Sequence, residues 1–151
     1  MPITTLGAGL VAQCAADEGA ISIAIGPRAV VLPNGELVCS FMRSAKTATN
    51  DFMPVLYRSH DLGRSWTDEG PIWPHLRDRW SLFVGVSRDA AGRLFLFGAR
   101  SPIDVPGESN RSDFSFGEPS ATLLPDGTWL VALWCVQPSG TGIRYVRLKL
   151  E

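Results

Sequence analysis

The sequence predicts an all-β protein of short antiparallel strands, and three observations carry that expectation. The 151 residues include 15 glycines and 11 prolines, and no segment shows the 3.6-residue apolar period of an amphipathic helix. A turn pattern recurs three times, as Leu32-Pro33-Asn34-Gly35-Glu36-Leu37-Val38, Asp89-Ala90-Ala91-Gly92-Arg93-Leu94-Phe95 and Leu124-Pro125-Asp126-Gly127-Thr128-Trp129-Leu130. Between the first two copies lies the octapeptide Ser59-His60-Asp61-Leu62-Gly63-Arg64-Ser65-Trp66, whose residue types suit a self-capped hairpin turn.

Each repeat sets a glycine turn between two apolar runs and so reads as one hairpin. The strands leaving those turns, Leu37–Phe41, Leu94–Gly98 and Trp129–Val136, are continuously apolar. That pattern is expected of inner strands covered on both faces. In the octapeptide the Ser59 hydroxyl and Asp61 carboxylate can cap turn N–H groups that no strand partner reaches. Gly63 supplies a positive φ, and Trp66 can fold its ring back over the turn. Asp61 is therefore read as a structural acceptor, not a catalytic acid. The stretch Ser101–Ser115, rich in Pro, Gly, Ser, Asn and Asp, reads as a loop. The final segment alternates, with Val146, Leu148 and Leu150 facing one way and Arg147, Lys149 and Glu151 the other, which marks a half-solvated outer strand.

Composition narrows the function classes. At 45% hydrophobic residues and a formal net charge of −1, the chain can bury a core and has no electrostatic case for binding nucleic acid or an anionic membrane. No apolar run approaches the roughly 20 residues of a membrane-spanning helix. Met1–Ala20 has no basic region ahead of an apolar one, so a cytoplasmic location is expected. Cys14, Cys39 and Cys135 are odd in number and lack metal-ligand spacing, which fits buried free thiols. His60 and His75 flank turns without metal-motif neighbours, and neither a metal nor a cofactor is expected.

The octapeptide, as Ser-x-Asp-x-Gly-x-x-Trp, resembles the Asp-box or BNR repeat of the sialidase (neuraminidase)-like β-propellers, with Ser59, Asp61, Gly63 and Trp66 at the four fixed positions. The resemblance implies a partial propeller of about three blades made of antiparallel sheets. One blade, carrying the Asp-box, spans about residues 20–74, an incomplete one about 79–104, and a terminal one about 114–151. Blades take about 40–50 residues, but only 35 separate Gly92 from Gly127. Closed propellers have about four to eight blades, so the chain cannot close a ring alone. A fragment of a longer propeller, an internally deleted one and a half-propeller that pairs with a second copy all remain open. Exposed blade faces favour self-association in each case.

The same resemblance implies site residues. In the family an Arg on the first strand opens a three-arginine clamp on a substrate carboxylate, and Arg28 in Gly26-Pro27-Arg28 stands there, although its order departs from the usual Arg-Ile-Pro. Arg43 matches a second clamp residue, and Asp51, in the loop before Val55-Leu56-Tyr57, matches the general acid/base. Glu118 falls either where the family keeps the Glu that activates its Tyr nucleophile or where the nucleophile itself stands. Tyr57 and Tyr145, the chain's two tyrosines, lie elsewhere, and no third clamp Arg is found. Two functions follow: an exo-sialidase-like glycoside hydrolase acting on an acidic sugar, or a non-catalytic segment that binds carbohydrate or self-assembles. Trp73 and Trp80, flanking a Pro- and Arg-rich connection, are the aromatics expected at the surface.

Overall fold

The structure is a computed structural model that describes residues 5–13, 23–44, 50–103, 116–137 and 140–149. Among them the chain forms nine strands in three antiparallel sheets, with one single-turn 3-10 helix at Pro74–Leu76. The first sheet has the order β1-β2-β3-β4, from β1 (Ile23–Val31), β2 (Leu37–Ser44), β3 (Met53–Ser59) and β4 (Thr67–Pro71). The second pairs β5 (Trp80–Arg88) with β6 (Leu94–Pro102), and the third has the order β7-β8-β9, from β7 (Phe116–Leu123), β8 (Trp129–Gln137) and β9 (Gly140–Leu148). Every pairing joins neighbours in sequence, as short turns require.

The three glycine repeats form the same turn, each joining the first two strands of its sheet. Leu32 N–H donates to Glu36 O at 2.8 Å, Asp89 N–H to Arg93 O at 3.1 Å, and Leu124 N–H to Thr128 O at 2.8 Å. Gly35, Gly92 and Gly127 donate back to the first residue of each turn, with φ of 86°, 85° and 78°. A side chain is strained in that region, which explains the invariant glycine among otherwise different residues.

The octapeptide makes the β3–β4 turn. Ser59 Oγ donates to Asp61 Oδ1 (2.8 Å) and accepts from Gly63 N–H (2.8 Å), while Ser65 N–H donates to Asp61 Oδ1 (2.9 Å). Leu62 and Gly63 are both left-handed, at φ 62° and 87°, and Trp66 Nε1 donates to Gly63 O at 3.2 Å. Trp66 also packs on the core of the first sheet, so the turn is tied to the fold by its ring as well as its hydrogen bonds.

That core lies on one face of the sheet, where Cys39, Phe41, Val55 and Tyr57 pack together beneath Val11, Ala12 and Trp66. The opposite face carries Val38, Ser40 and Met42, all buried, and turns toward the second sheet. Three contacts fix this seam: Val86 N–H to Ser40 Oγ (3.1 Å), Phe52 N–H to Ser81 Oγ (3.1 Å) and Leu82 N–H to Phe52 O (2.8 Å). The second and third sheets meet through Phe95 and Phe97, whose rings lie 4.8 and 5.1 Å from Trp129.

Two sequence expectations are corrected. The strands after the glycine turns are not all covered on both faces, although β5 packs on β1, β2 and β3 on one side and on β7 on the other. β2 is buried nearly throughout, but β6 is half-exposed, its sheet having no strand beyond it among the described residues. The stretch read as a loop from Ser101 begins within β6, which runs through Pro102; residues 104–115 lie outside the described residues. Cys39 is buried as a free thiol, whereas Cys14 and the Cys135 side chain lie outside the description.

Candidate functional site

Three equivalent positions converge where the first strands meet. Arg28, Gly85 and Ser120 each stand four residues before the glycine turn of their own sheet, and all three line one cleft of about 430 Å³ between β1, β5 and β7. The chain reaches this spot irregularly. The β1–β2 register shifts between Ile25 and Arg28, and the β7–β8 register between Gly117 and Ser120. Each shift contains a proline, Pro27 or Pro119, which has no N–H for the ladder and turns its strand out of register.

Two guanidinium groups border the cleft. Arg28 is exposed, and the one hydrogen bond of its guanidinium among the described residues is Nη1 donating to the neighbouring Pro27 O at 3.0 Å. Arg88, also exposed, lines the cleft, and its guanidinium has no hydrogen-bond or ion-pair partner among the described residues. Between them Ser87 Oγ donates to Ala121 O at 3.2 Å, holding β5 to β7. Val86 and Ala121 supply apolar wall and Ser120 a hydroxyl. Two exposed guanidinium groups with no ion-pair partner among the described residues, over a hydroxyl-bearing, partly apolar cleft, suit a carboxylate on a polar ring, since guanidinium binds carboxylate through paired, charge-assisted hydrogen bonds.

The other sequence-derived residues lie apart from this cleft. Arg43 donates from Nη1 to Asp68 Oδ2 (3.0 Å) and from Nη2 to Tyr57 Oη, and Tyr57 Oη donates to the same Asp68 oxygen at 2.7 Å. Its guanidinium also sits 5.1 Å from the Tyr57 ring centre. It is therefore committed to a local network. Arg28 pairs with Ser40, which faces the second sheet, while Arg43, three residues on, faces the opposite way. The two arginines cannot close on one carboxylate without rebuilding the sheet.

Asp51 is half-buried and accepts a hydrogen bond from Ser44 Oγ. Ser44 pairs with Ile23, near the far end of β1 from Arg28, so Asp51 and the cleft are separated by about 13 Å of strand. Beside it, buried Asn50 donates to Ser101 Oγ (3.1 Å) and Pro102 O (3.3 Å), pinning this loop to β6. Glu118 lies on β7 at the register shift, and its side chain is outside the description. Tyr57 is 7% exposed with its hydroxyl enclosed by Arg43 and Asp68, and Tyr145 is exposed on β9. Trp73 and Trp80 are both half-buried, and Trp80 lies under Arg100 at 4.5 Å.

Sequence reasoning found Arg28 but missed Arg88. The available signal was the repeat itself: Arg88 directly precedes the second glycine turn, so superposing the three turns brings it beside Arg28's strand end. Among the described residues no cluster of three or more His, Cys, Asp or Glu side chains could hold a metal ion. Nor, among the described residues, is any helix long and apolar enough to cross a membrane. No family model, curated protein or solved structure matches this chain.

Proposed function

We propose that this chain is a sialidase-like, three-blade propeller segment that binds an acidic sugar in the Arg28–Arg88 cleft and does not hydrolyse it unaided. The observation that carries this reading is the pair of exposed guanidinium groups, without an ion-pair partner among the described residues, where equivalent positions of the three sheets converge. The three sheets correspond to the blades, and the Ser59–Trp66 turn to the Asp-box. A hydrolase would need its carboxylate clamp, acid and nucleophile around one sugar. Here Arg43 is held by Asp68 and Tyr57, and Asp51 lies at the other end of β1, so binding is favoured over turnover.

Titration with N-acetylneuraminic acid, followed by amide chemical shifts, tests the proposal. Shifts are expected to cluster on Arg28–Val31 and Gly85–Arg88. Arg28→Ala and Arg88→Ala should each weaken binding about tenfold, as loss of a charge-assisted contact implies, and added salt should weaken it further. No shift at millimolar sugar, or equal binding by the double variant, would overturn the proposed site. Hydrolysis of a fluorogenic sialoside that disappears in Asp51→Asn would instead establish a glycosidase.

A further inference from the structure

The two guanidinium groups of the cleft stand at different levels of it. A Cβ on Gly92 would lie 2.3 Å from Cγ of the Pro33 ring, so the first two glycine turns are side by side and β1 and β5 run toward them in the same direction. Arg88 directly precedes its turn, whereas Arg28 is four residues before its own. Arg28 also pairs with Ser40, whose Oγ accepts the Val86 N–H. Arg28 is thus level with Gly85 to Val86, two to three residues short of Arg88, or about 7–10 Å along the strand. Its Nη1 donates back to Pro27 O, which draws the head further from the turns, and the width of the cleft between β1 and β5 adds to the separation.

Between these two levels the wall is uncharged. Val30, Val86 and Ala121 supply apolar surface, and Ser120, exposed, supplies a hydroxyl. No carboxylate lines the cleft among the described residues. The cleft, at about 430 Å³, is larger than a single hexose ring fills. Across this distance one carboxylate pairs with one guanidinium and leaves the other to a hydroxyl. Two carboxylates about 10 Å apart, joined through a neutral ring, would occupy both levels at once.

We propose that the cleft binds a linear glycan with a carboxylate on every second ring, taking an internal stretch of acidic, neutral and acidic sugars instead of a lone terminal acid. One carboxylate pairs with Arg28 and the next with Arg88, and the neutral ring between them lies against Val86 and beside the Ser120 hydroxyl. Two linked pyranose rings advance about 10 Å, the same distance as three residues of strand. A glycan with an acid on every ring would set a charge against the uncharged wall, away from either guanidinium. The assignment rests on the cleft being an acidic-sugar site, to which it adds chain length and charge spacing.

Titration of the whole chain with the tetrasaccharide of alternating glucuronate and N-acetylglucosamine, followed by amide chemical shifts, tests this beside N-acetylneuraminic acid and the neutral N-acetylglucosamine tetramer. The alternating tetrasaccharide is expected to bind about tenfold more tightly than the single acid, the gain of a second charge-assisted pair. Arg28→Gln and Arg88→Gln, which keep a hydrogen-bonding side chain at each exposed position, should each remove that gain while amides outside the cleft keep their shifts. The neutral tetramer should leave the cleft amides unmoved at the same concentration. Equal or weaker affinity for the tetrasaccharide than for N-acetylneuraminic acid would overturn the charge spacing and leave the acidic-sugar site in place. So would a gain that survives either substitution, or a neutral tetramer that binds as well. If no acidic sugar shifts Arg28–Val31 or Gly85–Arg88, the site itself is wrong and the spacing falls with it.

Discussion

Asp61 shows how much of this fold is written in single side chains. It receives hydrogen bonds from Ser65 Oγ (2.6 Å), Ser65 N–H and Ser59 Oγ, and these hold its carboxyl well below the usual carboxylate range. Asp126 is lowered by Thr128, through its side chain and N–H, and by Arg147. At Asp89 burial opposes ionisation, but hydrogen bonds and charge from Arg93 outweigh it. Each group has a folded pKa below its unfolded one, so its contribution to stability is complete above about pH 4 and drains away as pH falls toward the folded value. The urea midpoint is therefore expected to be lower at pH 3 than at pH 6, with a smaller difference in Asp61→Asn. An equal drop in that variant would remove Asp61 from the account. Roles of this kind are legible in sequence because donor and acceptor lie within a few residues of each other. Arg43 is the counterexample: its partners Tyr57 and Asp68 come from two further strands, and only strand register decides that it spends its charge there instead of on a ligand.

Among the elements, the β5–β6 hairpin depends on one glycine for a reason different from that of the turns. Gly98 pairs with Val84, and a Cβ built there would collide with the Phe83 carbonyl oxygen and the Val84 side chain. Gly98→Ala must push β6 away from β5 and is expected to cost about 2–3 kcal/mol. Gly35→Ala is the contrast, because its Cβ would enter open space and only the φ of 86° is strained, a loss of about 1 kcal/mol. Urea titration of the two variants separates close approach from backbone strain, and equal losses would refute the distinction. The turn glycines are readable from their repeated place between two apolar runs, preceded by Asn34 and Asp126 at two of the three turns. Gly98 is not, since Phe97-Gly98-Ala99 has no turn signature and its constraint comes from the strand opposite. The cleft was half-legible for the same reason: the repeat marks equivalent positions, but only packing shows that they meet.

At the scale of the molecule, the two seams between sheets are built from different materials and should fail differently. The first is polar and backbone-directed, with Ser40 and Ser81 each accepting an N–H from the facing element and Asn50 reaching β6. Removing one hydroxyl leaves a buried N–H unpaired but leaves several neighbouring bonds in place. The second seam rests on aromatic contact, where Trp129, 3% exposed, meets Phe95 and Phe97; of the cross-seam hydrogen bonds only Ser87 to Ala121 lies alongside among the described residues. Trp129→Ala should therefore cost about 3–5 kcal/mol and release the third sheet while the first two stay docked. Hydrogen exchange resolved by peptide is the measurement: amides of β7, β8 and β9 are expected to exchange faster in the variant, with β2 and β3 still protected. Such a split would mark the third sheet as a separate cooperative unit. Loss of protection throughout all three sheets at once would mean that the seams act as one core. It would also mean that the Arg28–Arg88 cleft, which needs β1, β5 and β7 together, is only as stable as the Trp129 contact that holds its third wall.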